Sequence, residues 1–192
     1  MKQHTHNAAG FTLVELMVTL TIAAILVTVA VPSFVTTVQN NRLITYTNDL
    51  VGDINLARSE AVKRGVRVLL CRSAAPSLAT PTCGGDNNTW TTGWLIFADA
   101  NTDGIFNAGD TLIRIGLPVA GGTTVITNAI SNNNLEYNPD GTTNEGGGTG
   151  VFVLCDTRGA GFGRQVQVNA MGRPQLVKGT DAVLNCTAPA VA

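Results

Sequence analysis

The chain has 192 residues, of which 44% are hydrophobic and 13% are charged, and its formal net charge is −1. This length fits one domain with an extension, and the low charge excludes a highly charged disordered chain and a nucleic-acid-binding protein that relies on bulk positive charge. Two histidines and the lack of a Cys-x-x-Cys pair argue against a structural zinc site.

The first element in the chain is an apolar segment long enough to cross a membrane. Residues 1–10 are polar and contain Lys2, whereas residues 11–31 are apolar except for Glu15. As a helix, this run would be about 31 Å long, which matches the hydrocarbon core of a bilayer. Lys2 places the short flank in the cytoplasm and the remaining chain beyond the membrane. In a secretory signal peptide the cleavage site follows a shorter apolar region, whereas here the small residue Gly10 precedes it.

Glu15 needs a partner, because inserting a carboxylate within an apolar helix costs roughly 2.5–3.5 kcal/mol. If a peptidase cuts after Gly10, the new amine of Phe11 lies about 6 Å along the helix axis from Glu15. Glu15 of one subunit could then neutralise the Phe11 amine of its neighbour. The alternative is a tolerated glutamate that reaches the lipid headgroups at the membrane interface.

The run Gly10-Phe11-Thr12-Leu13-Val14-Glu15 resembles the class III signal of type IV pilins and type II secretion pseudopilins. In that family a prepilin peptidase cuts after the glycine and N-methylates the new terminal phenylalanine. The resemblance therefore implies that residues 1–10 are a cleaved leader and that Phe11 becomes methylated. It also implies a single-pass protein of the bacterial inner membrane, with its C-terminal domain in the periplasm, whose partners are the prepilin peptidase and other pilins or pseudopilins.

A second helical pattern follows Pro32, which would kink the helix or separate the membrane part from the rest. Six residues recur at steps of three and four and form one apolar stripe: Leu43, Tyr46, Leu50, Ile54, Ala57 and Ala61. Polar residues, among them Asp53, fall mostly off the stripe. Gly65 is a suitable C-terminal stop.

Together these patterns predict one long helix over roughly residues 11–64. We assign residues 11–31 to the membrane or filament core and residues 32–65 to the second half of the helix. The apolar stripe predicts that this second half packs on a globular domain of residues 66–192.

Beyond Gly65, short segments rich in β-branched and aromatic residues alternate with clusters of Gly, Asn, Asp and Pro. The predicted strands are Val66–Cys71, Gly93–Ala98, Thr111–Leu117, Thr123–Thr127, Val151–Cys155, Arg164–Asn169 and Gln175–Val177. No helical crossover is visible, so we expect an antiparallel sheet or two small packed sheets. Residues Asn138–Gly150 are predicted to be a flexible surface loop. The fold class is α+β, and the resemblance implies a type IV pilin-like fold with the long N-terminal helix packed on an antiparallel β-sheet domain.

The predicted strands carry a second resemblance. The run Gly93-Trp94-Leu95-Ile96-Phe97, followed by Asp99-x-Asn101-x-Asp103-Gly104, Gly109-Asp110 and Leu112-Ile113-Arg114, is similar to the central segment of the GspH/FimT subfamily. That group contains the H pseudopilin of type II secretion and the FimT-like minor pilins of type IV pili. The resemblance implies a subunit that primes or tips the assembly of a pilus or pseudopilus.

Four cysteines in an exported domain favour two disulfides, because that compartment is oxidising. Three pairings are possible. We favour Cys71–Cys83, which closes a local loop, and Cys155–Cys186, which ties the C-terminal tail to a strand. A catalytic thiol would need an orienting histidine, and both histidines lie in the predicted leader. The alternative of an enzyme anchored in the membrane has no nucleophile–base pair, metal triad or phosphate loop to support it in the sequence, so we predict a protein that is not an enzyme.

An acidic loop follows the second predicted strand and fits the spacing of a calcium-binding loop. Its candidate ligands are Asp99, Asn101, Asp103, Ile105, Asn107 and Asp110. Gly104 permits the sharp turn of such a loop, but its flanks are predicted strands rather than helices. The alternative is a hairpin loop whose Asp and Asn side chains cap their own backbone. Calcium is therefore a possible ligand, and no other cofactor is predicted.

Three basic residues near the C-terminus raise the possibility of DNA binding: Arg164, Arg173 and Lys178. Some FimT-like minor pilins take up DNA through a C-terminal Gly-Arg-x-Arg motif. The similar run in this chain is Gly172-Arg173-Pro174-Gln175, in which glutamine replaces the second arginine. Phosphate binding draws on several cations at once. A DNA-binding minor pilin therefore remains an alternative to a subunit whose basic residues are merely solvated.

Overall fold

The computed structural model describes residues 10–85, 90–128, 134–143, 150–178 and 185–186, so most of the predicted leader lies outside it. The described residues form one long helix, α1 (Leu13–Arg64), a short 3-10 turn at Ala160–Phe162, and eight strands. The strands are β1 (Arg67–Arg72), β2 (Trp94–Asp99), β3 (Thr111–Gly116), β4 (Thr124–Asn128), β5 (Asn134–Tyr137), β6 (Gly150–Cys155), β7 (Arg164–Val168) and β8 (Pro174–Lys178). Residue contacts divide the chain into two units, Met1–Asn40 and Asn41–Ala192.

In the first unit, every residue from Gly10 to Thr37 is exposed. Among the described residues, α1 is the one helix that is long and apolar enough to cross a membrane. The hydroxyls of Thr19, Thr21 and Thr28 donate to backbone carbonyls three or four residues earlier, at 2.8–2.9 Å. These bonds give the three threonine hydroxyls partners within the helix, which a lipid environment requires. Pro32 lies inside α1 and does not divide it into two helices.

In the second unit, α1 ends at the predicted place. Gly65 has a left-handed backbone (φ 65°), and its N–H donates to the carbonyl of Ala61 at 2.9 Å. This closing turn is a C-terminal cap that glycine adopts without steric cost.

The strands form two four-stranded sheets, with the orders β3-β2-β1-β5 and β4-β6-β7-β8. Every pair of neighbours is antiparallel. The α+β class and seven of the strands are therefore confirmed, and the alternative of two sheets is the one observed. The sequence analysis missed β5, whose four residues contain no β-branched side chain, although its buried Leu135 and Tyr137 alternate with half-buried neighbours.

One core combines the second half of α1 with residues of both sheets. The helix contributes five residues of the predicted stripe, namely Leu43, Leu50, Ile54, Ala57 and Ala61. The sheets contribute residues such as Ile96 and Phe152, and the ring of Phe152 lies edge-on to Trp90 at 5.0 Å. The apolar stripe thus faces the core as its period predicts.

The other face of each sheet carries a disulfide. The bond Cys71–Cys83 lies with Leu69 and Phe97, and its Cα atoms are 5.6 Å apart. The bond Cys155–Cys186 lies with Val153, and its Cα atoms are 5.8 Å apart. These are the two pairings that the sequence analysis favours.

Two expectations about individual segments are wrong. Asp53 is not off the buried stripe, because it is only 2% exposed and accepts a hydrogen bond from Trp94 Nε1 at 2.8 Å. Residues 138–143 do not form a loose loop, since Thr143 forms a β-bridge with Tyr137 and the backbone carbonyl of the buried Gly141 accepts a bond from Arg58 Nε at 3.0 Å. Residues 144–149 of the predicted loop lie outside the described residues.

Candidate functional site

The predicted cleavage and assembly site lies at the start of α1. Gly10, Phe11 and Thr12 precede the helix, and the side chain of Thr12 caps it. The backbone N–H of Glu15 donates to Thr12 Oγ1 at 3.2 Å, and the N–H of Leu16 donates to the Thr12 carbonyl at 3.1 Å. Thr12-x-x-Glu15 is the spacing of a capping box, a signal that the sequence analysis did not use.

The side chains of this site point away from the rest of the described chain. Phe11 is 79% exposed, and Gly10 is exposed in a segment without secondary structure. The Glu15 carboxylate makes no hydrogen bond or ion pair with any residue that the structure describes. It lies in the first turn of α1, where the positive end of the helix dipole favours a negative charge. A peptidase could therefore reach the Gly10–Phe11 bond, and the Glu15 carboxylate is available to a second chain.

The acidic loop between β2 and β3 brings three of its predicted ligands together. Carboxylate oxygens of Asp99, Asp103 and Asp110 lie within 4.8 Å of one another. Asp99 Oδ2 accepts from Arg67 Nη2 at 2.6 Å and from the Gly104 N–H at 3.0 Å. A cation that used this oxygen would have to displace Arg67.

The other two carboxylates of the acidic loop bond to the loop itself. Asp103 accepts from the Ile105 N–H at 2.8 Å and from the side-chain amides of Asn101 and Asn107 at 2.7 Å. Asp110 accepts from the N–H groups of Ala100 and Asn107, at 3.0 and 2.9 Å. The hydrogen bond from the Ile105 N–H lowers the pKa of Asp103 below its ordinary value. This is the self-capped hairpin loop that the sequence analysis gives as the alternative to calcium.

The basic residues predicted for DNA contact do not converge. Arg164 and Lys178 are paired across β7 and β8, whereas Arg173 precedes Pro174 at the other end of the ribbon. Four residues of antiparallel strand separate the two ends by roughly 14 Å. Arg173 is exposed and Arg164 is half-buried, and the side chain of Lys178 lies outside the described part of the chain.

A buried acid that sequence reasoning missed lies between α1 and the first sheet. Besides its bond to Trp94, Asp53 pairs with Arg114 through Oδ1 and Nε at 2.9 Å. Burial raises the pKa of Asp53, and the Trp94 hydrogen bond and the Arg114 charge offset only part of this rise. The sequence signal is that the N–H of a buried tryptophan usually finds an acceptor, which an acid near the apolar stripe can supply.

Comparisons with known proteins match both the N-terminal motif and most of the rest of the chain. A family model described as type II transport protein GspH matches residues 46–172, well over half of the chain. A model of the prokaryotic N-terminal methylation motif matches residues 5–31.

Two crystal structures of the type IV minor pilin FimU from Pseudomonas aeruginosa PAO1 have a similar fold. The first, in space group P21, has a TM-score of 0.58 at 20% identity and covers 78% of this chain and 98% of the FimU chain. The second, in space group P65, has a TM-score of 0.56 at 19% identity and covers 76% and 100%. No curated protein sequence matches the chain significantly.

Proposed function

Because the chain belongs to the GspH family of type II transport proteins, we propose that a prepilin peptidase processes it and that it is then assembled into a filament. It is a type IV pilin-like protein of the minor pilin or pseudopilin class. In the proposal, the peptidase cuts after Gly10 and methylates the amine of Phe11. The filament is a type IV pilus or a type II secretion pseudopilus, and this subunit primes or tips its assembly. Membership of a structural pilin family favours this role over a catalytic one.

The observation that carries the proposal is the carboxylate of Glu15, which has no partner among the described residues and lies at the start of an exposed apolar helix. An isolated charge is costly in lipid and in the apolar core of a helical filament. Cleavage creates one new cation, the amine of Phe11, at nearly the same depth. Pairing Glu15 of one subunit with the amine of the next removes both isolated charges, and the pair forms only when subunits stack.

The rest of the exposed helix supports the same role. Residues 13–37 present apolar side chains on all sides, as expected of a segment that lies in the inner membrane before assembly and among other helices afterwards. Ala23, Ala24 and Ala30 are small and let neighbouring helices approach closely. The second unit, Asn41–Ala192, which we call the globular unit, then lies in the periplasm or on the filament.

The test separates the charge of Glu15 from the helix cap that Thr12 forms. Glu15→Gln keeps the size and the hydrogen-bonding oxygen of the side chain but removes its charge. Thr12→Val removes the capping oxygen and leaves Glu15 in place. We expect Glu15→Gln to be cleaved normally but to be at least about tenfold depleted from sheared filaments, which corresponds to about 1.4 kcal/mol. Thr12→Val is expected to assemble.

Mass spectrometry of the chain from its own host measures the processing directly. A chain that begins at methylated Phe11 agrees with the proposal, and a chain that retains Met1 contradicts it. Glu15→Gln present in filaments at the wild-type level would contradict the pairing of charges.

A further inference from the structure

A cavity of about 520 Å³ on the globular unit is lined by two basic side chains of α1. These are Arg58 and Lys63, and the apolar side chain of Val62 lies beside them in the lining. Asp140, which follows β5, is the one acidic residue among the described residues that line it. We call this space the Arg58 cavity. It shares no residue with the start of α1 or with the acidic loop.

The guanidinium of Arg58 is held at one end and free at the other. Arg58 is half-buried, and its Nε donates to the carbonyl of Gly141 at 3.0 Å. Gly172 packs against the same group, since a β-carbon added there would lie 3.2 Å from Arg58 Nε. Arg58 Nη1 and Nη2 donate to no residue that the structure describes. Two parallel N–H donors whose orientation the fold already fixes match the two oxygens of a carboxylate.

The acid in the lining is already engaged by its own turn. Asp140 Oδ1 accepts from the N–H of Thr142 at 2.9 Å and from its hydroxyl at 2.6 Å. These hydrogen bonds lower the pKa of Asp140 below its ordinary value. Within the described parts of the chain, no ion pair joins Asp140 to Arg58. The outer nitrogens of Arg58 therefore remain open to an anion from outside the chain.

The charges near the Arg58 cavity do not balance. Lys63 and Arg64 share a single carboxylate, that of Glu60. Lys63 is 75% exposed along its side chain, and its Nζ is 3.4 Å from Glu60 Oε1. With Arg58 there are three cations here against the two carboxylates of Glu60 and Asp140. One positive charge is therefore uncompensated among these residues.

We propose that the Arg58 cavity binds the carboxylate of an aspartate or glutamate on a different subunit of the filament. Arg58 holds the carboxylate through Nη1 and Nη2, Lys63 adds a second cation, and Val62, which is 55% exposed, supplies an apolar contact. An arginine beside apolar surface is a common composition for the centre of a protein interface. The inference rests on the proposed function, because a subunit that primes or tips assembly has neighbours of other kinds.

The lining favours a protein carboxylate over other anions. A small free anion would leave the exposed side chain of Val62 uncovered. A nucleic acid would bring a row of phosphates against the carboxylates of Glu60 and Asp140, although its affinity depends on several cations acting together. A carboxylate carried by a protein surface satisfies the charge and covers the apolar contact at once.

Carbodiimide cross-linking of filaments sheared from the host tests the contact. The reagent joins an amine to a carboxylate that touches it, and the amine of Lys63 is the reporter. Its link to Glu60 within the chain is the internal standard, since these groups are 3.4 Å apart. We expect mass spectrometry to find Lys63 joined also to an aspartate or glutamate of a different subunit. Arg58 is left unchanged, because its Nε also holds Gly141 in the fold.

The matched control exchanges two neighbouring residues, as Lys63→Arg with Arg64→Lys. The exchange keeps both charges and moves the amine by one residue, which rotates it by about 100° around the helix. Arg64 does not belong to the described lining of the cavity, yet it also pairs with Glu60, so the internal standard is retained. Relative to that standard, we expect the link to the other subunit to be at least about tenfold weaker from position 64, which corresponds to about 1.4 kcal/mol.

Several outcomes would overturn the proposal. Equal relative yields from positions 63 and 64 would do so, as would a chain that is present in filaments but links Lys63 only to residues of this same chain. A gel shift of duplex DNA at low salt that is lost in Lys63→Gln but kept in Arg64→Gln would assign the cavity to phosphates instead. A chain that is absent from sheared filaments contradicts the proposed function, and the inference falls with it, so the two failures are distinguishable.

Discussion

The two halves of α1 have similar length and opposite environments. From Leu13 to Thr37 every side chain is exposed, whereas from Leu43 to Ala61 one stripe is almost fully buried. The first half satisfies its threonine hydroxyls within the helix and leaves its apolar surface uncovered. The second half covers its apolar stripe with two sheets. The first half therefore depends on surroundings outside the chain to cover its apolar side chains, whereas the second half is covered by its own domain.

Removing both disulfides should cause the largest change, because both lie in the globular unit. It should lower the stability of that unit without affecting the exposed half of α1. Replacing all four cysteines by serine removes two cross-links, which close loops of 12 and 31 residues. The chain-entropy model gives about 3 and about 4 kcal/mol of lost stability, respectively. We expect the globular unit to unfold at much lower urea in detergent, as measured by the fluorescence of Trp90 and Trp94. Far-ultraviolet circular dichroism should show that the detergent-bound part of the helix persists, and a helix signal lost entirely in the same transition would contradict the comparison.

Truncation of one leucine in each half sharpens the comparison. Leu50→Ala removes a fully buried side chain from the core and should cost roughly 2–5 kcal/mol of unfolding free energy. Leu26→Ala is the matched control, because Leu26 is 63% exposed and should change the stability of the globular unit by less than about 0.5 kcal/mol. Urea titrations of both variants measure the two effects. Equal effects would show that the halves share one cooperative unit.

A smaller effect is expected from Asp53, the buried acid of the second half. Its raised pKa means that the folded chain binds a proton at a pH above 3.8, where the unfolded chain does not. Lowering the pH from neutrality towards that range should therefore stabilise the wild type relative to Asp53→Asn, by at most about 1.4 kcal/mol per pH unit. Urea titrations at several pH values give the difference. Parallel stability curves for the two chains would contradict the raised pKa.

The smallest expected effect is that of calcium. The carboxylates of the acidic loop already accept hydrogen bonds from Arg67 and from the loop, so we expect no change in melting temperature between calcium and chelator. A site occupied at one hundred times its dissociation constant would add about 2.7 kcal/mol. A clear rise in melting temperature with calcium, lost in Asp103→Asn, would show instead that the acidic loop binds calcium.

Periodic patterns made much of this fold predictable. The stripe of α1, the stop at Gly65 and seven strands follow from local sequence, because side-chain period and turn residues act over short distances. β5 was missed because its four residues have little intrinsic preference for a strand. They form one by pairing with β1, 63 to 69 residues earlier in the sequence. Asp53 was misjudged for the same reason, since its burial in α1 depends on contacts with Trp94 of β2 and Arg114 of β3, which are distant in the sequence.

The candidate site shows a similar division. The junction at Gly10 and the position of Glu15 are contiguous in the sequence, and so the motif could be identified without a structure. The capping hydrogen bond that Thr12 Oγ1 accepts from the Glu15 N–H could also be predicted from the Thr-x-x-Glu spacing. The ion pair between Asp99 and Arg67 could not be predicted, because the two residues lie on different strands and are 32 residues apart in the sequence.

The cap at Thr12 has a consequence for the chain that the proposed cleavage would produce. Once the bond after Gly10 is cut, only Phe11 and Thr12 precede a helix whose first turn is already fixed. Only two residues then connect the new amine to an ordered first turn, so its position along the helix axis is fixed before a neighbouring subunit binds. Little freedom is left to lose when it meets an incoming carboxylate, and a maturation cut at this bond delivers a subunit whose end is ready to engage.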